Sequence, residues 1–210
     1  MTAITVDTKL VGGMMREFTP QLRLDFRRAR RLSDDDFFEM CQANRDARIE
    51  MDKNGDIEIM APTGTETGIQ NINLTVELGN WSKKDGTGQA FDSSTGFRLP
   101  NGAIRSPDLS WMTLKKWNSV PSAKRKKFAP VCPDFVVELR SETDALKKLQ
   151  AKMKEYIENG AALGWLIDAI TKKVYVYRPE AAVEILNDPK EVTGGDVLKG
   201  FTLRMKEIWG

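Results

Sequence analysis

Asp108, Glu138 and Lys152 are the residues whose types and spacing point most directly to chemistry. Glu138 interrupts the apolar run Phe135-Val136-Val137-Glu138-Leu139, the kind of run a buried central strand carries. A carboxylate in a strand covered on both faces is costly without a cation, a partner or a proton beside it. Upstream, Pro107-Asp108-Leu109-Ser110-Trp111-Met112 repeats the theme of an acid on an apolar strand. Downstream, Glu142 to Asn159 reads as a helix ended by Gly160, with Leu146, Leu149, Met153, Tyr156 and Ile157 in one stripe. Lys152 sits on the edge of that stripe, where its stem can run along apolar surface and deliver the ammonium to the end of the sheet. Two strand-borne acids and a lysine from the next helix are what metal-assisted phosphodiester hydrolysis requires. The carboxylates hold Mg²⁺, the metal polarises phosphate and activates water, and the lysine stabilises developing charge or orients the water. This reading requires the Asp108 and Glu138 strands to be neighbours. The bland alternatives are a turn cap or an Arg105 pair for Asp108, and a pair with Arg98 or Lys152 for Glu138. Gln150 also falls within the helical stripe, and an amide among core residues is either satisfied locally or pointed at a site.

Composition narrows the chemistry further. The chain has 210 residues, enough for one domain with a real core, or one domain plus an arm. Its 32 basic and 30 acidic residues leave a net charge of +2, which neither demands nor excludes a nucleic-acid partner. There is no histidine, which removes Ser-His-Asp and Cys-His catalysis and His-ligated zinc. Cys41 and Cys132 form no CxxC motif and suggest no disulfide framework. Any metal must therefore be held by carboxylates and carbonyls, which favours Mg²⁺ or Mn²⁺. Low cysteine usage, with no signal peptide and no long apolar run, points to the cytoplasm and away from a membrane.

Several elements must position these residues. Residues 1–31 read as an N-terminal arm, or a first strand leading into a helix, with a basic cluster at Arg27, Arg28, Arg30 and Arg31. The rest, 32–210, reads as one domain. Ser33 with Asp36 three residues on is a helix-start signature. Arg48–Met51 and Asp56–Met60 alternate around Asn54-Gly55, which predicts an antiparallel hairpin. A helix from about Glu66 to Lys83 follows, with Ile69, Ile72, Leu74, Val76, Leu78 and Trp81 at its apolar positions and Ile69, Ile72 and Val76 at helical spacing. Glu66 at its start reads as a first-turn acid that compensates the dipole. Short strands are expected at Gln89–Asp92, Thr95–Leu99, Trp165–Ile167 and Lys173–Tyr177, with edge strands towards the end. The basic stretch Lys115 to Lys127 reads as a solvated face, and Trp165 and Tyr156 as core.

Taken in order, these segments resemble a known family. They are Arg105-Ser106-Pro107-Asp108, Cys132-Pro133-Asp134-Phe135-Val136-Val137-Glu138-Leu139-Arg140-Ser141, Leu149-Gln150-Ala151-Lys152-Met153 with Tyr156 and Gly160, and Gly164-Trp165-Leu166-Ile167-Asp168. Together they look like the Uma-two family of endonucleases, with the PD-(D/E)xK restriction-endonuclease-like fold. The resemblance extends back through Pro62-Thr63-Gly64-Thr65-Glu66 and Asp92-Ser93-Ser94-Thr95-Gly96-Phe97. It implies an α/β fold with a central mixed β-sheet flanked by helices. It assigns Asp108 to the PD position and Glu138 to the (D/E) position, both as metal ligands. The x-K position is Arg140, and arginine is a poor substitute for that lysine. The family pattern moves the lysine onto the helix, where Lys152 matches. Gln150 is then the second helix residue such folds use, and Glu66 matches the first-helix acid that completes some metal sites.

The resulting expectation is a Mg²⁺- or Mn²⁺-dependent endonuclease acting on DNA, as a homodimer because cutting both strands needs two sites. A second reading keeps the same fold as a nucleic-acid-binding or protein-interaction module without turnover. A third is a hydrolase of other phosphodiesters or nucleotides at the same site.

Overall fold

The structure is a computed structural model that describes residues 21–24 and 32–209. The Arg27–Arg31 cluster therefore lies outside the described residues. Alternation along the chain resolves into two principal sheets. The first sheet is built from β1 (Gln21–Leu24), β2 (Arg48–Met51) and β3 (Ile57–Met60), with the short strands β5 (Phe97–Arg98) and β6 (Ile104–Arg105). Its order is β1-β3-β2-β6-β5. The second has six strands in the order β11-β10-β9-β8-β7-β4, where β4 is Gly88–Asp92, β7 Leu109–Thr113, β8 Phe135–Arg140, β9 Leu163–Asp168, β10 Lys173–Tyr177 and β11 Glu184–Asn187. It is mixed: β8 pairs parallel with β9, and the other neighbours pair antiparallel. A further hairpin, β12 (Glu191–Thr193) with β13 (Thr202–Arg204), closes the described chain together with a short helix, α6 (Lys206–Trp209).

The strand β8 is inner, as its apolar composition requires, and β7 is its neighbour. Strand alternation then decides which side chains meet. Phe135, Val137 and Leu139 enter a core shared with Leu74, Leu78, Trp111 and Trp165. Val136 faces the other way, into a core with Met153, Tyr156 and Leu166. Glu138 follows the parity of Val136 and faces the helix α5 (Leu146–Glu158). That helix starts later than its periodicity suggests, because Ser141 binds the Asp144 carboxylate through its amide at 2.9 Å and its hydroxyl at 2.6 Å, forming a turn first. Gly160 ends it at a left-handed φ of 103°. A Cβ at Gly164 would lie 2.5 Å from the Met153 methyl, so the glycine on β9 leaves room for the flexible end of that side chain.

Helix α1 (Asp34–Ala43) opens with the capping box read from Ser33 and Asp36. Its Phe37 packs on Ile49, Met51 and Ile57 of the hairpin. The long helix α2 (Thr65–Asp85) forms where its periodicity placed it, but it turns a different face inward. Leu74 and Leu78 are buried, whereas Ile69, Ile72 and Val76 are 61%, 56% and 48% exposed. The face marked by Ile69, Ile72 and Val76 is thus the outer one. Both sets of residues satisfy a 3.6-residue period, and packing against β4, β7 and α6 selects the leucines. The basic stretch after β7 is not a bare loop: it folds as α3 (Leu114–Ser119) and α4 (Ser122–Arg125), broken at Pro121. Among the described residues, no helix is long and apolar enough to cross a membrane.

Candidate active site

The two sheets meet where the chain passes from β6 to β7 through Ser106, Pro107 and Asp108. A cavity of about 800 Å³ opens at this junction, lined by Arg48, Glu50, Asp108, Glu138 and Lys152 among others. Asp108 precedes β7, one residue before the paired position Leu109↔Val137. Antiparallel register therefore carries it towards Glu138. Its Oδ2 accepts the Leu139 amide at 2.8 Å, and its Oδ1 accepts from Arg48 Nη1 at 2.8 Å. The arginine on Asp108 is thus Arg48, from the hairpin, and not Arg105.

Glu138 is 3% exposed. Its Oε1 accepts from the Tyr156 hydroxyl at 3.0 Å and pairs with Lys152 Nζ at 2.9 Å. Lys152 is shared, since its Nζ also lies 2.9 Å from Glu50 Oε1. Asp108, Glu138 and Lys152 therefore line one cavity, with the lysine delivered by α5. Gln150 is half-buried on α5 and Glu66 exposed in the first turn of α2, and neither lines that cavity. Thr67 and Asn71 of α2 do. Tyr156 is core, as expected of a helical stripe, but its hydroxyl also reaches the site.

Glu50 is the acid that sequence alone did not single out. It is 1% exposed and accepts from Lys152, from Arg105 at 3.2 Å and from the Ser106 amide at 2.9 Å. Alternation along the hairpin buries Ile49, Met51 and Ile57 under α1, and the opposite face would ordinarily be solvated. Here that face, carrying Arg48, Glu50 and Glu58, covers the site instead. A signal was present: Glu50 stands directly opposite Glu58 in the hairpin register. Like charges so placed are unfavourable unless a cation joins them. Arg105 is that cation, 3.2 Å from Glu50 and 3.7 Å from Glu58, with its Nε 2.7 Å from Glu155 of α5.

Burial dominates the electrostatics. It pushes the Glu138 carboxyl up to about 7; Lys152 and Arg48 pull against this, while Asp108 and Glu50 add to it. Burial also raises Glu50, but Lys152, Arg105 and Arg48 overcome it and bring that carboxyl down to about 2. For Lys152, burial favours loss of the proton, and Glu138 with Glu50 outweighs it, so the ammonium is held above its usual range. Of these two carboxylates, Glu138 is the one whose ionised form burial disfavours and its neighbours only partly restore.

A bound cation would favour the ionised form of Glu138. Asp108 and Glu138 offer hard oxygen donors of the kind Mg²⁺ and Mn²⁺ take, and Mg²⁺ is commonly bound through one or two carboxylates plus substrate phosphate. Among the described residues, no group of three or more acids, cysteines or histidines is gathered around a point. The donor set fits a two-carboxylate site completed by substrate and water, and not a closed protein cage.

The sequence pattern of Uma2, described as "Putative restriction endonuclease", matches residues 34–206. The chain belongs to the Uma2 family. A solved structure described as a putative nuclease belonging to DUF820, from Anabaena variabilis ATCC 29413, is similar in fold. The TM-score is 0.68 at 20% identity, covering 85% of this chain and 97% of that one. No curated protein sequence matches the chain. For this Uma2 protein the fold is the restriction-endonuclease-like α/β arrangement, and the family is one of nucleases.

Proposed function

We propose that this Uma2 protein is a divalent-metal-dependent endonuclease that hydrolyses DNA phosphodiester bonds. The observation that carries the reading is the convergence of Asp108, Glu138 and Lys152 on one cavity, from two adjacent strands and the following helix. Asp108 and Glu138 would hold Mg²⁺ or Mn²⁺, which when bound polarises the phosphate and lowers the pKa of a water. Lys152, protonated and held between Glu138 and Glu50, stabilises the negative charge that develops on the phosphate. Glu50 positions that ammonium and fixes its charge. Tyr156 donates to Glu138 Oε1 and so steadies that carboxylate. Cutting both strands of a duplex needs two such sites, so the reading includes a homodimer.

Purified protein is expected to nick supercoiled plasmid DNA with Mg²⁺ or Mn²⁺ and not with EDTA, and Asp108→Ala or Glu138→Ala abolishes the nicking. Binding of DNA without cleavage under any divalent ion would contradict the proposal and favour a non-catalytic module.

A further inference from the structure

Arg48 stands where the reading above requires a cation. It projects from β2 into the cavity, with Nη1 2.8 Å from Asp108 Oδ1 and Nη2 donating to the Ser106 carbonyl. Asp108 Oδ2 accepts the Leu139 amide and Oδ1 accepts Arg48, so a cation arriving from the cavity meets a carboxylate whose charge the guanidinium already offsets. A divalent ion on Oδ1 would sit against a guanidinium bonded to the same atom, and the two repel strongly at such distances. Arg48 must then release Asp108. The other two carboxylates that act on Arg48 already have cationic partners. Glu50 is engaged by Lys152, Arg105 and the Ser106 amide, and Glu138 by Lys152 and Tyr156. Arg48 Nε is also buried without a partner among the described residues, so the arginine's bonding capacity is not fully used in this position. A phosphodiester oxygen pair entering the cavity is the acceptor that a guanidinium fork suits best.

We propose that Arg48 and the divalent cation compete for Asp108, and that substrate phosphate resolves the competition by taking Arg48. Metal binding and nucleic-acid binding are thereby coupled through one side chain. This rests on the nuclease reading. It makes Arg48 a positioning residue that delays metal loading until a phosphodiester is in place. Thermodynamic reciprocity requires the same factor in both directions: duplex DNA tightens Mn²⁺, and Mn²⁺ tightens the duplex.

The test measures Mn²⁺ binding to the protein alone by EPR, and binding of a short phosphorothioate duplex DNA with and without Mn²⁺ by fluorescence anisotropy. Arg48→Met is expected to bind Mn²⁺ about tenfold more tightly than wild type without DNA, within the usual range of coupling factors. The tightening of the duplex by Mn²⁺ is expected to shrink in the variant by the same factor. Arg48→Gln, which keeps a polar stem, reports the same result if the methionine variant does not fold. Variants that bind Mn²⁺ no more tightly than wild type overturn the proposal. Asp108→Asn separates the two levels. Loss of Mn²⁺ binding in Asp108→Asn, with no tightening in the Arg48 variants, overturns the coupling alone. Wild-type Mn²⁺ binding in Asp108→Asn overturns the metal-site reading itself.

Discussion

Glu138 is a carboxylate buried beside two others, and burial with its neighbours moves its carboxyl up to about 7 from an ordinary value of 4.5. An acid whose pKa is higher in the folded than in the unfolded chain makes the folded state bind more protons between those values. Its contribution to stability is therefore full below about 4.5 and declines as pH rises through about 7. In metal-free buffer, urea unfolding of wild type relative to Glu138→Gln is expected to show the wild type losing up to about 3 kcal/mol over that window, at 1.36 kcal/mol per pKa unit. A flat difference between the two would show that folding leaves the Glu138 pKa unshifted. Glu138 and Lys152 could be read from the sequence because each violates a simple pattern: an acid in a strand, and a lysine beside an apolar stripe. Arg48 violates none, and Glu50 does so only through its pairing with Glu58 across the hairpin. They occupy the polar positions of an ordinary alternating hairpin, and only the second sheet lying over that face makes them part of the site.

At the scale of elements, α2 shows what periodicity can and cannot decide. Its sequence specified a helix, and the structure has one from Thr65 to Asp85. The inward face was ambiguous, because Ile69, Ile72 and Val76 are spaced for a helix as well as Leu74 and Leu78 are. Contacts made by distant elements settled it. Leu74→Ala or Leu78→Ala is expected to cost about 2–5 kcal/mol in chemical unfolding. Ile69→Ser or Val76→Ser should stay within about 0.5 kcal/mol of wild type. The reverse order would mean that the isoleucine face is the packed one. The hairpin was legible down to its Asn54-Gly55 turn, whereas its role as the roof of the cavity was not. Helices α3 and α4 went unread because their lysines and Pro121 resemble a solvated linker, and both are short.

For the whole molecule, the site lies at the seam between two sheets, bound by a continuous network of charge. Glu155 of α5 holds Arg105, Arg105 holds Glu50 and Glu58, and Glu50 shares Lys152 with Glu138. The restriction-endonuclease-like sheet was legible from the order of motifs. The seam was not, because it depends on residues about a hundred positions apart in sequence, such as Glu50 and Lys152. The central claim is that Asp108 and Glu138, brought side by side by β7 and β8, form one cation site. The most direct measurement is an anomalous difference map from crystals soaked in Mn²⁺. A single peak between the Asp108 and Glu138 carboxylates, about 2.0–2.3 Å from an oxygen of each, is expected. A map without a peak there at saturating Mn²⁺, or with the ion bound by other residues, would contradict it.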